Sequence, residues 1–479
     1  MPGTLKALNT TMMRALVGAR AALLVAVALL IGCVWVRPAD ALPSFAAQMG
    51  APCSACHVGG FGPQLTPFGI AFRANGYTWG GGTGPWAHIP VNLVVSPTYQ
   101  TQAAAQPAAP TGYGSATNNY FNLLGSGTSV FIAGGHSFGG QFGIGGFEQI
   151  GFIQTPGGPL VASEATSDLA ITKPITLKDH SLLLGFHFTN TASGGDPYNT
   201  LYNGFAFPYI IPFIGPFPSA NPTIAALGTT VYGMSLYGLY DNNLYVEAGL
   251  YQSWGPNTLT TMNIGASSLG TIAGGAPYFR IARQQSWGGN FLEVGGMYMS
   301  MPMQNVPGAN AVTDQNQYVD WGFDATYQHT YGPNVLAITS NILFESQTLT
   351  ASQAAGLSSN GTNTLTQFRI AASYYWHNTY GATLAFTSTT GSTDPTLYAP
   401  AALTGSANGS PNSQAIIAQV DWTPFGSDTT HAGYPWLNVR IGLQYTAYLS
   451  FNGGTANYDG SGRNAGDNNT LMLFTWWAF

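Results

Sequence analysis

Val319-Asp320-Trp321-Gly322-Phe323-Asp324-Ala325-Thr326-Tyr327-Gln328 alternates without a break. Successive side chains of an extended chain point to opposite sides. Val, Trp, Phe, Ala and Tyr therefore share one face, and Asp, Gly, Asp, Thr and Gln the other. Phe368, Ile370, Ala372, Tyr374 and Trp376 repeat the pattern against Gln367, Arg369, Ala371 and Ser373. Leu437, Val439, Ile441, Leu443 and Tyr445 repeat it against Asn438, Arg440, Gly442, Gln444 and Thr446. A soluble β-sandwich also alternates, but it turns its charges outward. Here the face ending in aromatics is apolar, and the other face holds most of the scarce charge. That predicts lipid outside, with water or a plug inside.

Composition agrees. Of 479 residues only 6% are charged and 45% hydrophobic, with 62 Gly and 25 Tyr. About a quarter charged is usual for soluble chains. No apolar run of about 20 residues follows the N-terminus, so membrane-spanning helices are not expected. The acidic balance and the lack of basic stretches exclude nucleic acid as a partner. Sixteen candidate strands run from 90–102 to 470–479, the fourth of them at 167–173. Tight turns such as Asp241-Asn242-Asn243, Gly288-Gly289 and His377-Asn378-Thr379 alternate with long loops near 191–228, 255–276, 303–316, 347–364, 390–412 and 450–469. The expectation is an all-β, antiparallel up-and-down transmembrane barrel with both ends on its short-turn, periplasmic side. The final strand, with Leu471, Leu473, Thr475, Trp477 and Phe479 on one face, resembles the signal read by the outer-membrane insertion machinery.

The chain divides into 1–41, 42–88 and 89–479. The first part reads as a secretory signal: Lys6, Arg14 and Arg20, then apolar 21–36, then Ala39-Asp40-Ala41 for cleavage. A lipobox ending in Cys33 is the alternative. Removing this segment takes Lys6, Arg14, Arg20, Arg37 and Asp40, and leaves the remainder near a formal charge of about −9.

Within 42–88 stands Cys53-Ser54-Ala55-Cys56-His57. This is the attachment pattern of c-type haem: two thiols one helical turn apart for the porphyrin vinyls, then an imidazole for the iron. A plain Cys53–Cys56 disulfide also fits the spacing. A thioredoxin-like motif needs a βαβ context, and a zinc site needs four ligands. A short helix follows, with Thr66 as cap, Pro67 at its first position and Asn75-Gly76 at its end. Phe68 and Phe72 fall four apart on one face, against haem or barrel wall. So short a piece cannot form its own core; haem supplies one, or something larger houses it. For the second axial position the candidates are Met49, His88 and the run Met297, Met299, Met301 and Met303.

Leu42-Pro43-Ser44-Phe45-Ala46, Pro52-Cys53-Ser54-Ala55-Cys56-His57, Gln64-Leu65-Thr66-Pro67-Phe68-Gly69 and Asn75-Gly76-Tyr77 together resemble the fused monohaem cytochrome c–porins of iron-oxidising bacteria. Val130-Phe131-Ile132-Ala133-Gly134, Asp196-Pro197-Tyr198-Asn199-Thr200 and Leu244-Tyr245-Val246-Glu247 are similar to that family's barrel. Ile70 stands where the family usually has a basic residue, and Arg73 is the nearest one. The resemblance implies an outer-membrane protein with one covalent haem c, oxidising extracellular Fe(II) by one-electron transfer. The electron would pass to a periplasmic cytochrome c or blue copper protein.

One haem is much narrower than the hydrocarbon core of about 30 Å. The haem segment is therefore expected inside the lumen, held by Arg280, Glu247, Asp320, Asp324, Arg369, Asp421 and Arg440, which otherwise read as ordinary lumen residues. Asp196, Asp314, Asp394, Asp459 and Asp467 fall in the long loops, as solvated acids or as attractors of Fe(II). Scarce carboxylates predict tolerance of acid. The alternatives are a conduit for another extracellular donor or acceptor, and a diffusion porin with an accessory haem plug.

Overall fold

The computed structural model describes residues 43–80, 90–106, 118–124, 128–154, 160–193, 195–201, 215–304 and 314–479. The signal segment, His88 and the alternative Cys33 lie outside them. Alternation closes into a barrel of 16 antiparallel strands. They are β1 (Val91–Val95 with Thr98–Gln102), β2 (Asn119–Asn122 with Ser129–Phe138), β3 (Phe142–Gln154), β4 (Leu160–Leu177), β5 (His180–Thr189), β6 (Val231–Tyr240), β7 (Leu244–Ser253) and β8 (Ala276–Trp287). Then come β9 (Asn290–Gln304), β10 (Asn316–Tyr331), β11 (Asn334–Thr348), β12 (Thr362–Trp376), β13 (Tyr380–Gly391), β14 (Ser413–Trp422), β15 (Asn438–Ser450) and β16 (Thr470–Ala478). β16 pairs with both halves of β1 and closes the ring. The fourth strand is longer than 167–173. It runs from Leu160, takes in Pro174 and pairs along β3 across an irregular register at Gln149/Ile150.

The outer face is apolar and open. Leu236, Phe279, Ile281, Val294, Phe323, Leu384 and Val420 are all exposed, as a wall in lipid requires. Tyr240, Trp287, Tyr331, Trp376, Tyr380 and Trp422 ring it near the short turns, the usual place of an interfacial girdle. The turns fit their residues: Asp241-Asn242, Gly288-Gly289 and His377-Asn378 all have positive φ, which two-residue hairpins demand. One connection on that side is longer, from Thr423 to Leu437.

The inner face is polar, yet it is not open to water. Gln367, Arg369, Thr387, Thr389, Asp320, Glu293 and Arg440 are each at most 2% exposed. The chain itself fills the lumen. At the short-turn end lie α1 (Pro43–Met49), α2 (Cys53–Cys56) and α3 (Pro67–Ala74). At the long-loop end lie 195–201 and 215–227, from the connection between β5 and β6. That connection reads in sequence as an outer loop. Folding inward buries Leu201, Ile224 and Leu227 against Met297, Met299, Met301, Met303, Tyr251 and Tyr278.

Candidate functional site

Cys53 to Cys56 make a single helical turn behind Pro52, and the His57 amide donates back to Cys53 O at 2.8 Å. His57 then leaves the helix in extended conformation. Gly59, Gly60 and Gly62 take positive φ, so the chain reverses quickly enough for His57 to bridge to Leu65. Val58 N donates to Gln64 O at 2.9 Å, and Thr66 N to Cys56 O at 2.9 Å. α3 starts as its sequence predicts: Thr66 Oγ1 accepts from Gly69 N at 3.1 Å, and Pro67 sits at the first helical position. A Cβ on Gly69 would stand 2.2 Å from Cys56 O, so glycine lets α3 press directly on the Cys turn.

The wall grips this unit from many sides. Arg440 donates to Phe61 O and to Tyr375 Oη, and pairs with Asp421 at 2.7 Å. Asn438 Nδ2 donates to Gly60 O at 2.7 Å, and Gln328 Nε2 to Leu65 O at 2.6 Å. Ser54 N donates to Gly426 O at 2.9 Å in the long short-side connection. Tyr237 Oη donates to Ala74 O at 2.7 Å. Asn92 accepts from Ser44 N at 2.8 Å, and Gln48 ties Tyr77 O to Gly135 N. Arg73 pairs with Asp168 and donates to Asp196 O at 2.8 Å. Phe45 stacks on Tyr77 at 5.0 Å, with Phe72 edge-on to both.

The Cys-x-x-Cys-His unit therefore lies inside the barrel. No disulfide joins Cys53 to Cys56. Cys56 and His57 are half-buried and keep some open surface. Burial pushes the Cys56 thiol up to about 11. It also pushes His57 down to about 4, with the Gly62 carbonyl opposing and the Arg440 charge assisting. A neutral imidazole is the ligating form. His57 Nδ1 is buried without a hydrogen bond of ordinary geometry. Two thiols on one turn and a neutral imidazole beside them fit a covalent haem.

Other expected residues are placed differently. Met49 Sδ lies against Gly80. The run Met297 to Met303 packs in the loop-end cluster, which contains no residue of 43–80, and so is not presented to His57. Phe72 is buried, whereas Phe68 is 39% exposed and touches Trp79, so the two do not act as one face. Of the lumen residues expected to hold this unit, Arg440 and Asp421 do so. Arg280 instead pairs with Asp196, Asp324 and Glu293 at 2.9, 2.8 and 3.4 Å, which ties down 195–201. Asp320 accepts from Ile224 N, and Glu247 binds His187, Ser235 and Tyr245.

The loop acids also differ. Asp196, Asp394 and Asp459 are buried, because each collects backbone and hydroxyl donors: Asp196 and Asp459 from their own loops, Asp394 from its own loop and from Ser358 and Ser359 after β11. Asp467 closes a capping box with Asn464, and Asp314 is exposed. Asp168, Tyr375, Asn92 and Gln48 carry no mark in the sequence, and Gln328 is marked there only as inward-facing. All but Gln48 sit at inward strand positions, which alternation identifies but does not rank.

No family model matches the chain, and no characterised protein matches its sequence. Several solved structures are similar in fold. The outer membrane channel DcaP of Acinetobacter baumannii is 12% identical, covering 81% of this chain and 96% of its own, with a TM-score of 0.47. OmpT of Vibrio cholerae, folded in vitro, is 8% identical over 81% and 96%, at 0.44. An anion-selective porin from Comamonas acidovorans is 11% identical over 81% and 98%, at 0.44.

Proposed function

We propose that this protein is an outer-membrane c-type cytochrome built into a porin-like barrel. In this reading it takes electrons from extracellular Fe(II) and delivers them to a periplasmic cytochrome c or blue copper protein. The observation that carries it is the position of Cys53-Ser54-Ala55-Cys56-His57: inside a closed lumen, gripped by the wall. Cys53 and Cys56 would form the thioethers and His57 would be an axial ligand. Haem supplies reversible one-electron chemistry there. An exposed apolar belt on a closed barrel supports the outer-membrane location.

The remaining work belongs to this chain's own residues. The filled lumen excludes bulk water and keeps metal ions on the side where they arrive. Phe45, Phe72 and Tyr77 pack on one another and give the segment an apolar cluster of its own. Arg440 and Asn438 fix the loop after His57 by its carbonyls. Such a fixed environment reorganises little when charge changes.

Stopped-flow mixing of the purified protein with Fe(II) at acid pH tests the reading. A c-type haem spectrum that reduces on mixing supports it; no haem absorbance, or a haem inert to Fe(II) but reduced by dithionite, ends it. The barrel alone also fits a diffusion porin with an accessory plug. Liposome swelling separates the two: sugar entry at porin rates favours the porin, and the buried inner face predicts none.

A further inference from the structure

The structure assigns a divalent-cation site to the long-loop half of the lumen, formed by Asp320 on β10, Glu345 on β11 and the side-chain oxygen of Gln347. Asp320 and Glu345 are partners in register, and their carboxyl groups touch. They are 0% and 2% exposed. Among the described residues neither carboxylate has an ion-pair partner. This sets the pair apart, because Asp168, Asp196, Asp324 and Asp421 all meet a guanidinium. Two carboxylates held together out of water call for positive charge between them.

The donors present are neutral. Thr223 N donates to Glu345 Oε2 at 2.5 Å, Ile224 N to Asp320 Oδ2 at 2.7 Å and Gln347 Nε2 to Glu345 Oε1 at 2.5 Å. They orient three carboxylate oxygens and leave the fourth. Asp320 Oδ1 is buried with no hydrogen-bond partner, and so is Gln347 Oε1. Gln347 is itself only 7% exposed, and its amide is already fixed to Glu345. Unsatisfied buried oxygens beside a carboxylate pair call for a cation.

The ligand class follows from the donors. They are all oxygens, with no sulfur or imidazole, which suits hard divalent ions such as Mg(II), Mn(II), Ca(II) or Fe(II). Among the described residues no group of three or more His, Cys, Asp and Glu is placed to hold a metal. The ion would therefore keep part of its water, as small hard cations do. The site stands on the far side of the lumen from Cys53 to His57. It is independent of the haem reading, and under that reading it is where a ferrous donor would pause.

Manganese(II) is the probe, titrated into the purified full-length protein in detergent and followed by loss of its free-ion EPR signal. One immobilised ion per chain is expected. Asp320→Asn with Glu345→Gln keeps the shape and should weaken binding about tenfold or more. Should the double variant not fold, Gln347→Leu and the wild-type stoichiometry carry the test. Displacement of Mn(II) by Fe(II) but not by Mg(II) marks a donor site. Equal displacement by both marks a structural ion, and both results support the proposal. No immobilised Mn(II) in the wild type means a shared proton only, and overturns it. So does unchanged binding in the carboxamide variant. Haem absorbance should not differ between wild type and variant, so failure here leaves the electron-transfer reading standing.

Discussion

The two halves of the lumen are filled by the same chain in different ways. At the short-turn end residues 43–80 are seated by shape. Gly59 admits the Tyr375 ring, which a Cβ would meet at 2.2 Å, and Gly60 packs on Gly426. Wall side chains there reach backbone carbonyls: those of Gly60, Phe61, Leu65 and Ala74. At the long-loop end a connection is pinned by charge, through Arg280 with Asp196, Asp324 and Glu293. Arg73 joins the halves, since it pairs with Asp168 and also donates to Asp196 O. Shape tolerates no added atom, whereas a charged network tolerates no missing one.

The largest effect expected follows from that division. Under the proposed function, Cys53→Ser with Cys56→Ser would remove both attachment points, so covalent haem staining on denaturing gels should vanish. The barrel should still form, because its wall does not draw on those thiols. Heat-modifiable gel mobility checks this. A barrel that no longer assembles would mean that the unit templates its wall.

Arg280→Met attacks the other half. It leaves three carboxylates buried with their cation gone, at a cost of about 3–5 kcal/mol. Urea unfolding in detergent should show the loss. Haem content should be unchanged, because attachment would rest on Cys53 and Cys56, even though Arg73 donates to Asp196 O and Asn199 Nδ2 to Pro63 O across the two halves. Gly59→Ala is the reverse experiment. Its Cβ enters the Tyr375 ring at a φ of +73°, costing about 1–3 kcal/mol. Protease added from the short-turn side should then cut 43–80 sooner, with the long-loop end unaltered.

Much of this was legible beforehand, for identifiable reasons. The wall was, because period two needs only local residue types: Val319 to Gln328 lie as their alternation says. The Thr66 to Asn75 helix was, because its cap and its stop are written in adjacent residues. The fate of the connection between β5 and β6 was not. Its Gly, Asn and Pro content is that of any loop, and what draws it inward is Arg280, some 80 residues away in sequence. Asp394 and Asp459 were misplaced for the same reason: whether a loop acid is solvated depends on partners that composition does not reveal. Arg440 was readable as inward-facing, yet its choice of Phe61 O was not.

Asp394 extends the contrast to the loops that cap the long side. Burial alone would raise its pKa. Donors from Leu397, Ser358, Ser359 and Asn363 reverse this and hold it below the usual carboxylate range. A depressed carboxylate contributes fully above its unfolded value of about 3.9, and that contribution fades only as pH falls through the lower folded value. Loop protection from hydrogen exchange should therefore persist near pH 4. Asp394→Asn should lose about 1–3 kcal/mol of it at neutral pH.

Thr66→Ala should give the smallest effect, and it tests how far the seated unit is self-made. The Thr66 hydroxyl accepts from Gly69 N at 3.1 Å and donates to Ala55 O, so it caps α3 and holds α2 with one oxygen. Removing a cap of this kind costs about 1 kcal/mol. Thr66→Ser keeps both bonds and should be near neutral. Faster exchange of the Gly69 amide in Thr66→Ala alone would show a unit that carries its own local order into the barrel. Identical exchange in all three proteins would mean that Gln328, Tyr237 and Arg440 impose that order from the wall, and shape would then belong to the socket rather than to what it holds.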